Sequence, residues 1–206
     1  MTKGAELTFD VATHTYRYGG RVVPSVTTVL RPIDNFDRVD PELLERARRF
    51  GSHVHQATDL FDRGILDEDE LDPGLVPHLN GYKLFLSETG FQVTHSEQQV
   101  YNPRQRYAGT LDRQGNWKRT SWLLDLKSGA VPRSVGLQTE GYRQSLPPEE
   151  RPRRRLCLQL LPNNYKLIAC DETSDWSFFV SFLNTYRFLN RTTTHASSEN
   201  EISAVA

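Results

Sequence analysis

The chain has 206 residues, of which 37% are hydrophobic and 25% are charged, and its formal net charge is −1 at pH 7. This length suits one domain with a well-buried core and is too short for two large domains. The overall charge does not indicate a nucleic-acid partner, two cysteines exclude a disulfide framework and a four-cysteine iron–sulfur or zinc site, and no apolar run approaches the roughly 20 residues of a membrane span.

The N-terminal segment is predicted to form a short β structure followed by a short helix. Alternation in residues 6–23 and the Gly19-Gly20 turn predict a hairpin. Ser25 is a good N-cap for a helix over Val26 to Leu30. The first residues lack the apolar segment of a secretory signal, so we expect a soluble protein of the cytoplasm.

A long helix is predicted to begin at Asp40-Pro41, with Asp40 as its N-cap and Pro41 at the first helical position. Gly51 and His55 lie one turn apart on the shoulder of its apolar stripe, and the glycine suggests close approach of another group. The stripe, which we expect to face the core, consists of Leu43, Ala47, Phe50, Val54, Ala57 and Phe61.

A second helix over Leu75 to Thr89 and a strand over Phe91 to Tyr101 follow. Strict alternation in that strand places Glu97 on the face that carries Phe91 and Val93. A carboxylate on a partly apolar face is paired, exposed beyond the core, or part of a cation site. The strand pattern alone does not choose among these.

The stretch from Tyr107 to Gly129 predicts two strands with Asp112 at the end of the first. In the second, Asp125 and Lys127 are two residues apart and therefore share a face among leucines and a tryptophan. Burying charges is costly unless a partner or a metal compensates, so this spacing suggests a site. The alternative is a surface ion pair on an edge strand.

The last third of the chain predicts a helix over Val135 to Leu146, a hairpin and a final helix. A turn at Asn163-Asn164 would join strands Arg155 to Leu161 and Tyr165 to Cys170 and set Cys157 opposite Cys170, both as free thiols. The final helix spans Asp175 to Leu189, with Phe178, Phe179, Phe182, Leu183 and Tyr186 in the core, and residues 191–206 are predicted to be disordered. This order of elements implies an α/β fold with a mixed sheet flanked by helices.

Carboxylates grouped with a lysine and a histidine suit magnesium chemistry. Carboxylate oxygens bind Mg²⁺ or Mn²⁺, and such ions polarise a phosphodiester and lower the pKa of a bound water. Lys127 could orient or deprotonate that water, or stabilise the charge that develops on the phosphoryl oxygens.

Any contact with nucleic acid would have to come from local groups of basic residues. The alternative for each group is an ordinary solvated surface. The candidate groups are Arg46, Arg48 and Arg49; Arg104 and Arg106; Lys118 and Arg119; and Arg151, Arg153, Arg154 and Arg155.

The ordered set of these residues resembles the PD-(D/E)XK nuclease superfamily, and most closely its RecB-like exonuclease branch with phage-encoded members. The segment Pro24 to Leu30 is also similar to phage proteins of this branch and to the mitochondrial genome maintenance exonuclease. The resemblance covers about residues 20 to 185. It rests on Gly51 and His55, Glu97, Ala108 to Asp112, Asp125 to Gly129, and Gln138 with Tyr142.

The resemblance implies a role for each of these positions. Asp112, Asp125, the carbonyl of Leu126 and His55 would bind the metal, Glu97 would be an acid near it, and Lys127 would be the catalytic lysine. Ser128, Gln138 and Tyr142 would face DNA. Leu111 replaces the proline of the family name, and the cysteines of the iron–sulfur members are absent, which rules out that cluster.

The resemblance therefore implies a restriction-endonuclease-like fold, with one nuclease domain over residues 1–190 and a catalytic core over 91–146. The expected activity is a Mg²⁺- or Mn²⁺-dependent deoxyribonuclease, an exonuclease acting on single- or double-stranded DNA ends in recombination, repair or replication, with proteins of those processes as further partners. No membrane partner is expected, and a phage-encoded protein would act in the bacterial host cytoplasm. The alternatives are a structure- or site-specific endonuclease and a non-catalytic DNA-binding or assembly protein.

Overall fold

The computed structural model describes residues 6–34 and 39–191. It begins with a three-stranded antiparallel sheet of β1 (Leu7–Asp10), β2 (Thr15–Tyr18) and β3 (Arg21–Val23), in that order. The predicted hairpin over residues 6–23 is therefore two consecutive hairpins. Gly19 and Gly20 form the second turn with positive φ angles, as predicted, and the first turn ends at His14, whose φ is 50°.

The two predicted helix starts are confirmed. Helix α1 spans Val26–Leu30, and the side chain of Ser25 accepts a hydrogen bond from the backbone N–H of Thr28. Helix α2 spans Pro41–Asp62, and the side chain of Asp40 accepts from the first backbone N–H groups of the helix. These caps are local interactions, so neighbouring residues suffice to predict them.

The apolar stripe of α2 faces the core only in its second half. Leu43 and Ala47 are exposed, whereas Val54 and Ala57 are buried. The prediction of a continuous core-facing stripe is therefore wrong for the first turns. The first turns of α2 extend past the packed layers, so the apolar side chains there have no core to contact.

The main sheet has five strands in the order β4-β5-β6-β7-β8. Only β6 and β7 are parallel, which makes the sheet mixed, and α4 (Val135–Ser145) makes the crossover between them. The other neighbouring strands are antiparallel. The strands are β4 (Gln92–Asn102), β5 (Tyr107–Trp117), β6 (Thr120–Lys127), β7 (Arg154–Leu161) and β8 (Asn164–Ala169).

Helices pack on both faces of this sheet. On one face, α2 and α3 (Val76–Thr89) bury residues such as Tyr82 and Phe85 against Leu124 and Leu126 of β6. On the other face, α1, α4 and α5 (Asp175–Leu189) enclose Leu123 in a second core. The protein is thus a mixed α/β structure, as the order of predicted elements implied. In residues 6–34 and 39–191, none of the helices combines the length and the apolar character needed to cross a membrane.

Two details at the C-terminal end differ from the predictions. The β7–β8 ladder pairs Leu161 with Asn164 and Cys157 with Ile168, so Cys157 is not opposite Cys170. The turn is centred one residue earlier than assumed, which shifts the pairing by two residues. Both thiols are free and buried, as predicted. Phe178 of α5 is exposed rather than in the core, and the predicted disordered tail lies, from residue 192 onward, outside the described residues.

Two helical glycines differ in what surrounds them and provide a matched test of the packing. A Cβ at Gly81 in α3 would lie 2.3 Å from the carbonyl oxygen of Asn164, which belongs to the backbone and cannot move freely. A Cβ at Gly51 in α2 would lie 3.6 Å from Oγ of Ser128, an ordinary contact. The close approach predicted at Gly51 is therefore absent.

We expect Gly81→Ala to lower the free energy of unfolding by about 1–3 kcal/mol, because the added methyl group forces α3 away from the β7–β8 turn. Gly51→Ala should raise it by up to about 1 kcal/mol through helix propensity alone. Urea unfolding followed by circular dichroism measures both. Equal effects of the two substitutions would show that α3 does not contact this turn as described.

Candidate metal centre

The alternation of side chains along β5 breaks at Asp112. Before the break, the hydroxyl of Tyr107 donates to the carbonyl of Gly141 in α4, and a Cβ at Gly109 would lie 2.5 Å from Cε1 of Tyr142. After it, the guanidinium of Arg113 contacts α2 on the opposite face. In a regular strand, residues 109 and 113 would share a face. Asp112 therefore lies in the interior of β5, not at its end as predicted, at a local twist of the sheet.

Glu97 lies beside this twist on β4. The β4–β5 register shifts between Val93 and His95, and Glu97 has a φ of 47°. Strict alternation therefore does not survive along β4. The predicted face of Glu97 is nevertheless confirmed, because its carboxylate contacts Arg113 and His55 on the α2 side of the sheet, where Phe91 and Val93 also pack. A non-glycine residue in this region costs on the order of 1–3 kcal/mol, and such strain concentrates at functional sites.

The carboxylate of Asp112 spans a gap between β5 and β6. Their ladder begins at Trp117 and Thr120 and ends at Arg113 and Leu124. Beyond that point, Oδ2 of Asp112 accepts a hydrogen bond of 2.6 Å from the backbone N–H of Leu126. The side chain thus replaces the missing main-chain pairing and is fixed in position.

His55 reaches the same place from α2. Its Nε2 lies 3.0 Å from the carbonyl oxygen of Leu126 and donates to it, since a carbonyl can only accept. Its Nδ1 lies 3.5 Å from Oδ1 of Asp112 and 3.6 Å from Oε1 of Glu97. Burial lowers the pKa of His55, but the charges of Asp112 and Glu97 outweigh it and raise the pKa to about 9. Without a metal ion the ring is an imidazolium at neutral pH.

Asp125 and Lys127 form a close pair on the next strand. Oδ2 of Asp125 lies 2.6 Å from Nζ of Lys127, so the predicted shared face is confirmed. Asp125 is 0% exposed, and burial, partly offset by Lys127, raises its pKa to about 6. Burial lowers the pKa of Lys127, but the two aspartates outweigh it and the net shift is upward. The alternative of a surface ion pair on an edge strand is excluded, because β6 lies at the centre of the sheet.

This group of side chains fits a divalent cation. Ligand atoms of His55, Glu97 and Asp112 all lie within 4.8 Å of one another among the described residues. Asp125 is not in that set, but its buried oxygens meet no hydrogen-bond donor in good geometry in the described part of the chain. Lys127 offsets part of the charge of this buried carboxylate, and a bound cation would stabilise it further. Carboxylate oxygens with one imidazole suit Mg²⁺ or Mn²⁺.

The charges of the surrounding residues lead to the same conclusion. Among the residues that the structure describes, the permanent cations paired with the carboxylates of Asp62, Glu97, Asp112 and Asp125 are Arg113 and Lys127. With His55 neutral, two negative charges remain uncompensated in a buried region. One divalent cation would balance them.

The residues predicted to face DNA are placed differently. Gln138 and Tyr142 are 7% and 4% exposed, and Nε2 of Gln138 donates to the hydroxyl of Tyr142. Their predicted direct contact with DNA has no support from these positions, since both side chains are buried and Tyr142 packs against Gly109. Ser128 is half-buried at the end of β6, and its predicted role stays a prediction.

The basic groups also separate into two kinds. Arg155 is buried between Glu140 and Asp175, at 3.0 Å from each carboxylate, so it holds α4, β7 and α5 together and is not a DNA contact. Arg46, Arg48 and Arg49 are exposed on the part of α2 that extends past the core. A DNA contact by these three arginines stays a prediction.

Two residues next to the centre are not among the predicted site residues. Arg113 is fully buried and bonds to Glu97, and Tyr16 of β2 bonds through its hydroxyl to Thr110, two residues before Asp112. A charge inside a predicted buried strand must be paired, and this argument, which singled out Asp125, applies equally to Arg113. No local signal indicates Tyr16.

Comparison with protein-family profiles and with characterised proteins finds no match to this chain.

We expect Mg²⁺ or Mn²⁺ to raise the melting temperature of the protein, since a ligand at 100 times its Kd stabilises the folded state by about 2.7 kcal/mol. Asp112→Asn should remove this increase, because it deletes a central negative charge while keeping an acceptor for the Leu126 N–H. Asp59→Asn is the matched control, an α2 acid that bonds to Ser96 outside the cluster. An unchanged metal response in Asp112→Asn would exclude this centre.

Proposed function

We propose that the chain is a Mg²⁺- or Mn²⁺-dependent deoxyribonuclease that hydrolyses phosphodiester bonds. The observation that carries this proposal is the Asp125–Lys127 pair, 2.6 Å apart on a central strand. It lies next to a cluster of His55, Glu97 and Asp112 that fits a divalent cation. A carboxylate-lined cation site with an adjacent ammonium group is suited to reactions at phosphate.

The proposed fold is the restriction-endonuclease-like fold. Its support is a five-stranded mixed sheet with helices on both faces and a parallel step between β6 and β7. The candidate residues come from four neighbouring elements of that architecture, α2, β4, β5 and β6. The residues from Gly51 to Lys127 on which the resemblance to the nuclease superfamily rests lie on these same elements, whereas Gln138 and Tyr142 lie on α4.

His55, Asp112 and Asp125 would hold the cation, with Glu97 at its edge. A bound Mg²⁺ or Mn²⁺ supplies Lewis-acid polarisation of the phosphate and activates water. The carbonyl of Leu126 accepts from His55 in this structure, so it orients the imidazole.

Lys127 would act as a cation and not as a base. The adjacent carboxylates of Asp125 and Asp112 raise its pKa against the effect of burial, so it keeps its proton at neutral pH. Its side chain is 22% exposed, whereas Asp125 behind it is fully buried. Lys127 is thus the partly exposed member of the pair, and its ammonium group would stabilise the negative charge that develops on a phosphate oxygen during hydrolysis.

We propose DNA ends as the substrate, in the context of recombination, repair or replication. The exposed arginines on the first half of α2 would supply positive charge for the phosphate backbone near His55 on the same helix. This local supply is needed because the net charge of the chain is only −1.

Lys127→Met should reduce cleavage by at least about 100-fold, because it removes a preorganised charge from the reacting phosphate. Mn²⁺ binding should persist. Lys166→Met, at an exposed position of the edge strand β8, is the matched control and should keep full activity. Release of labelled nucleotides, measured with Mg²⁺, Mn²⁺ and chelator, tests this. Full activity of Lys127→Met would remove this residue from the mechanism.

The same assay with linear and covalently closed circular DNA, each single- and double-stranded, tests the requirement for an end. Degradation of linear DNA alone supports an exonuclease. Cutting of closed circles would instead establish an endonuclease, and no cleavage with either metal would favour a non-catalytic DNA-binding protein.

A further inference from the structure

We propose that Arg113 is a positioning residue of the metal centre, which holds the carboxylate of Glu97 at the cation site and thereby sets the affinity for the metal. This inference rests on the proposed metal centre but not on the nuclease reaction. Arg113 follows Asp112 directly on β5, and its side chain is 0% exposed.

Each nitrogen of the guanidinium has a defined partner. Nε donates to Oδ2 of Asp62 at 2.6 Å, and Nη2 donates to Oγ1 of Thr58 at 2.9 Å. Nη1 donates to Oε1 of Glu97 at 3.0 Å and to the carbonyl of Asp112 at 2.7 Å. Since the guanidinium is planar and rigid, the contacts with α2 determine where Nη1 can meet Glu97.

Glu97 depends on this contact for its position. Its side chain is 33% exposed, and its backbone is in the left-handed region next to a bulge. Besides Arg113, the charged group near its carboxylate is His55, at 3.6 Å. Without Nη1, the flexible side chain would gain rotamer freedom by turning towards solvent. Arg113 keeps the carboxylate directed at the site before a cation arrives.

The positive charge of Arg113 does not cancel the benefit of directing the negatively charged Glu97 carboxylate at the cation site. Its closest carboxylate is that of Asp62, at 2.6 Å with a side chain only 7% exposed. Tyr82 donates to both oxygens of Asp62 and holds it in place. The Arg113–Asp62 pair is therefore close to neutral as a unit. Glu97 keeps its negative charge for the cation, and orientation is the dominant effect of Arg113.

Mn²⁺ affinity, measured by electron paramagnetic resonance of free Mn²⁺, tests this through a thermodynamic cycle. Glu97→Gln and Arg113→Lys should each weaken binding by about tenfold, the lower end of what orienting partners of ligands contribute. A lysine keeps the charge beside Asp62 but cannot reach Asp62 and Glu97 together. The double variant should bind no more weakly than Glu97→Gln alone, because Arg113 acts through Glu97. Additive losses would overturn the proposal.

Two further variants separate positioning from general stability. Leu183→Val trims a buried side chain of α5 in the core on the opposite face of the sheet, so it should lower the melting temperature while keeping Mn²⁺ affinity within about twofold. Glu97→Asp leaves the buried arginine intact but is one methylene too short to meet both Arg113 and His55, so it should weaken Mn²⁺ binding. Unchanged binding in Glu97→Asp, or an equal loss in Leu183→Val, would contradict the positioning role even if Arg113→Lys does not fold.

The outcomes separate this inference from the proposed activity. Mn²⁺ binding with the expected non-additive cycle, but no DNA cleavage, would reject the nuclease and support the role of Arg113. DNA cleavage together with additive losses of Mn²⁺ affinity would support the nuclease and reject the role of Arg113. Absence of Mn²⁺ binding in the unsubstituted protein would reject both.

Discussion

The candidate site depends on the hydrogen bond from the backbone N–H of Leu126 to the carboxylate of Asp112. It forms where β5 and β6 stop pairing, so a side chain takes over a main-chain contact at the centre of the sheet. The carbonyl of the same leucine accepts from His55. The main chain of Leu126 thus places an aspartate from one strand and a histidine from a helix next to each other, and Asp125 and Lys127 flank it in the sequence.

Charged groups elsewhere in the interior show what a purely structural arrangement looks like in this protein. Glu140, Arg155 and Asp175 are buried and mutually paired, and their hydrogen bonds tie α4, β7 and α5 together. Asp125 differs, because its oxygens meet no well-oriented donor in the described structure despite the nearby ammonium group. Buried polar groups are normally satisfied, so this exception beside His55, Glu97 and Asp112 supports the proposal of a functional site.

Local chemistry accounts for what the sequence could predict. The caps at Ser25 and Asp40 and the shared face of Asp125 and Lys127 follow from neighbouring residues, and the structure confirms them. The mixed sheet followed from the order of the elements. The ordered motifs supplied the expectation that His55, Glu97 and Asp112 belong together, and their ligand atoms do lie close in space. The nuclease activity itself stays a proposal.

The remaining features depend on non-local contacts. The register shift between Val93 and His95 and the positive φ of Glu97 both lie where β4 pairs with β5, so they depend on contacts between the two strands. The four partners of Arg113 are distributed over α2, β4 and β5. The burial of Gln138 and Tyr142 depends on how closely α4 approaches Gly109. Periodicity predicts which elements form, but these contacts are set by packing between them.

The central claim is that these side chains form one cation site, and anomalous X-ray scattering from crystals grown with Mn²⁺ tests it most directly. A single cation site at these side chains predicts one strong anomalous peak in contact with Asp112 and His55, with Asp125 or Glu97 completing the protein ligands. A peak located elsewhere would contradict a shared cation site. The absence of a peak at saturating Mn²⁺, with His55 and Asp112 still in direct contact, would contradict it as well.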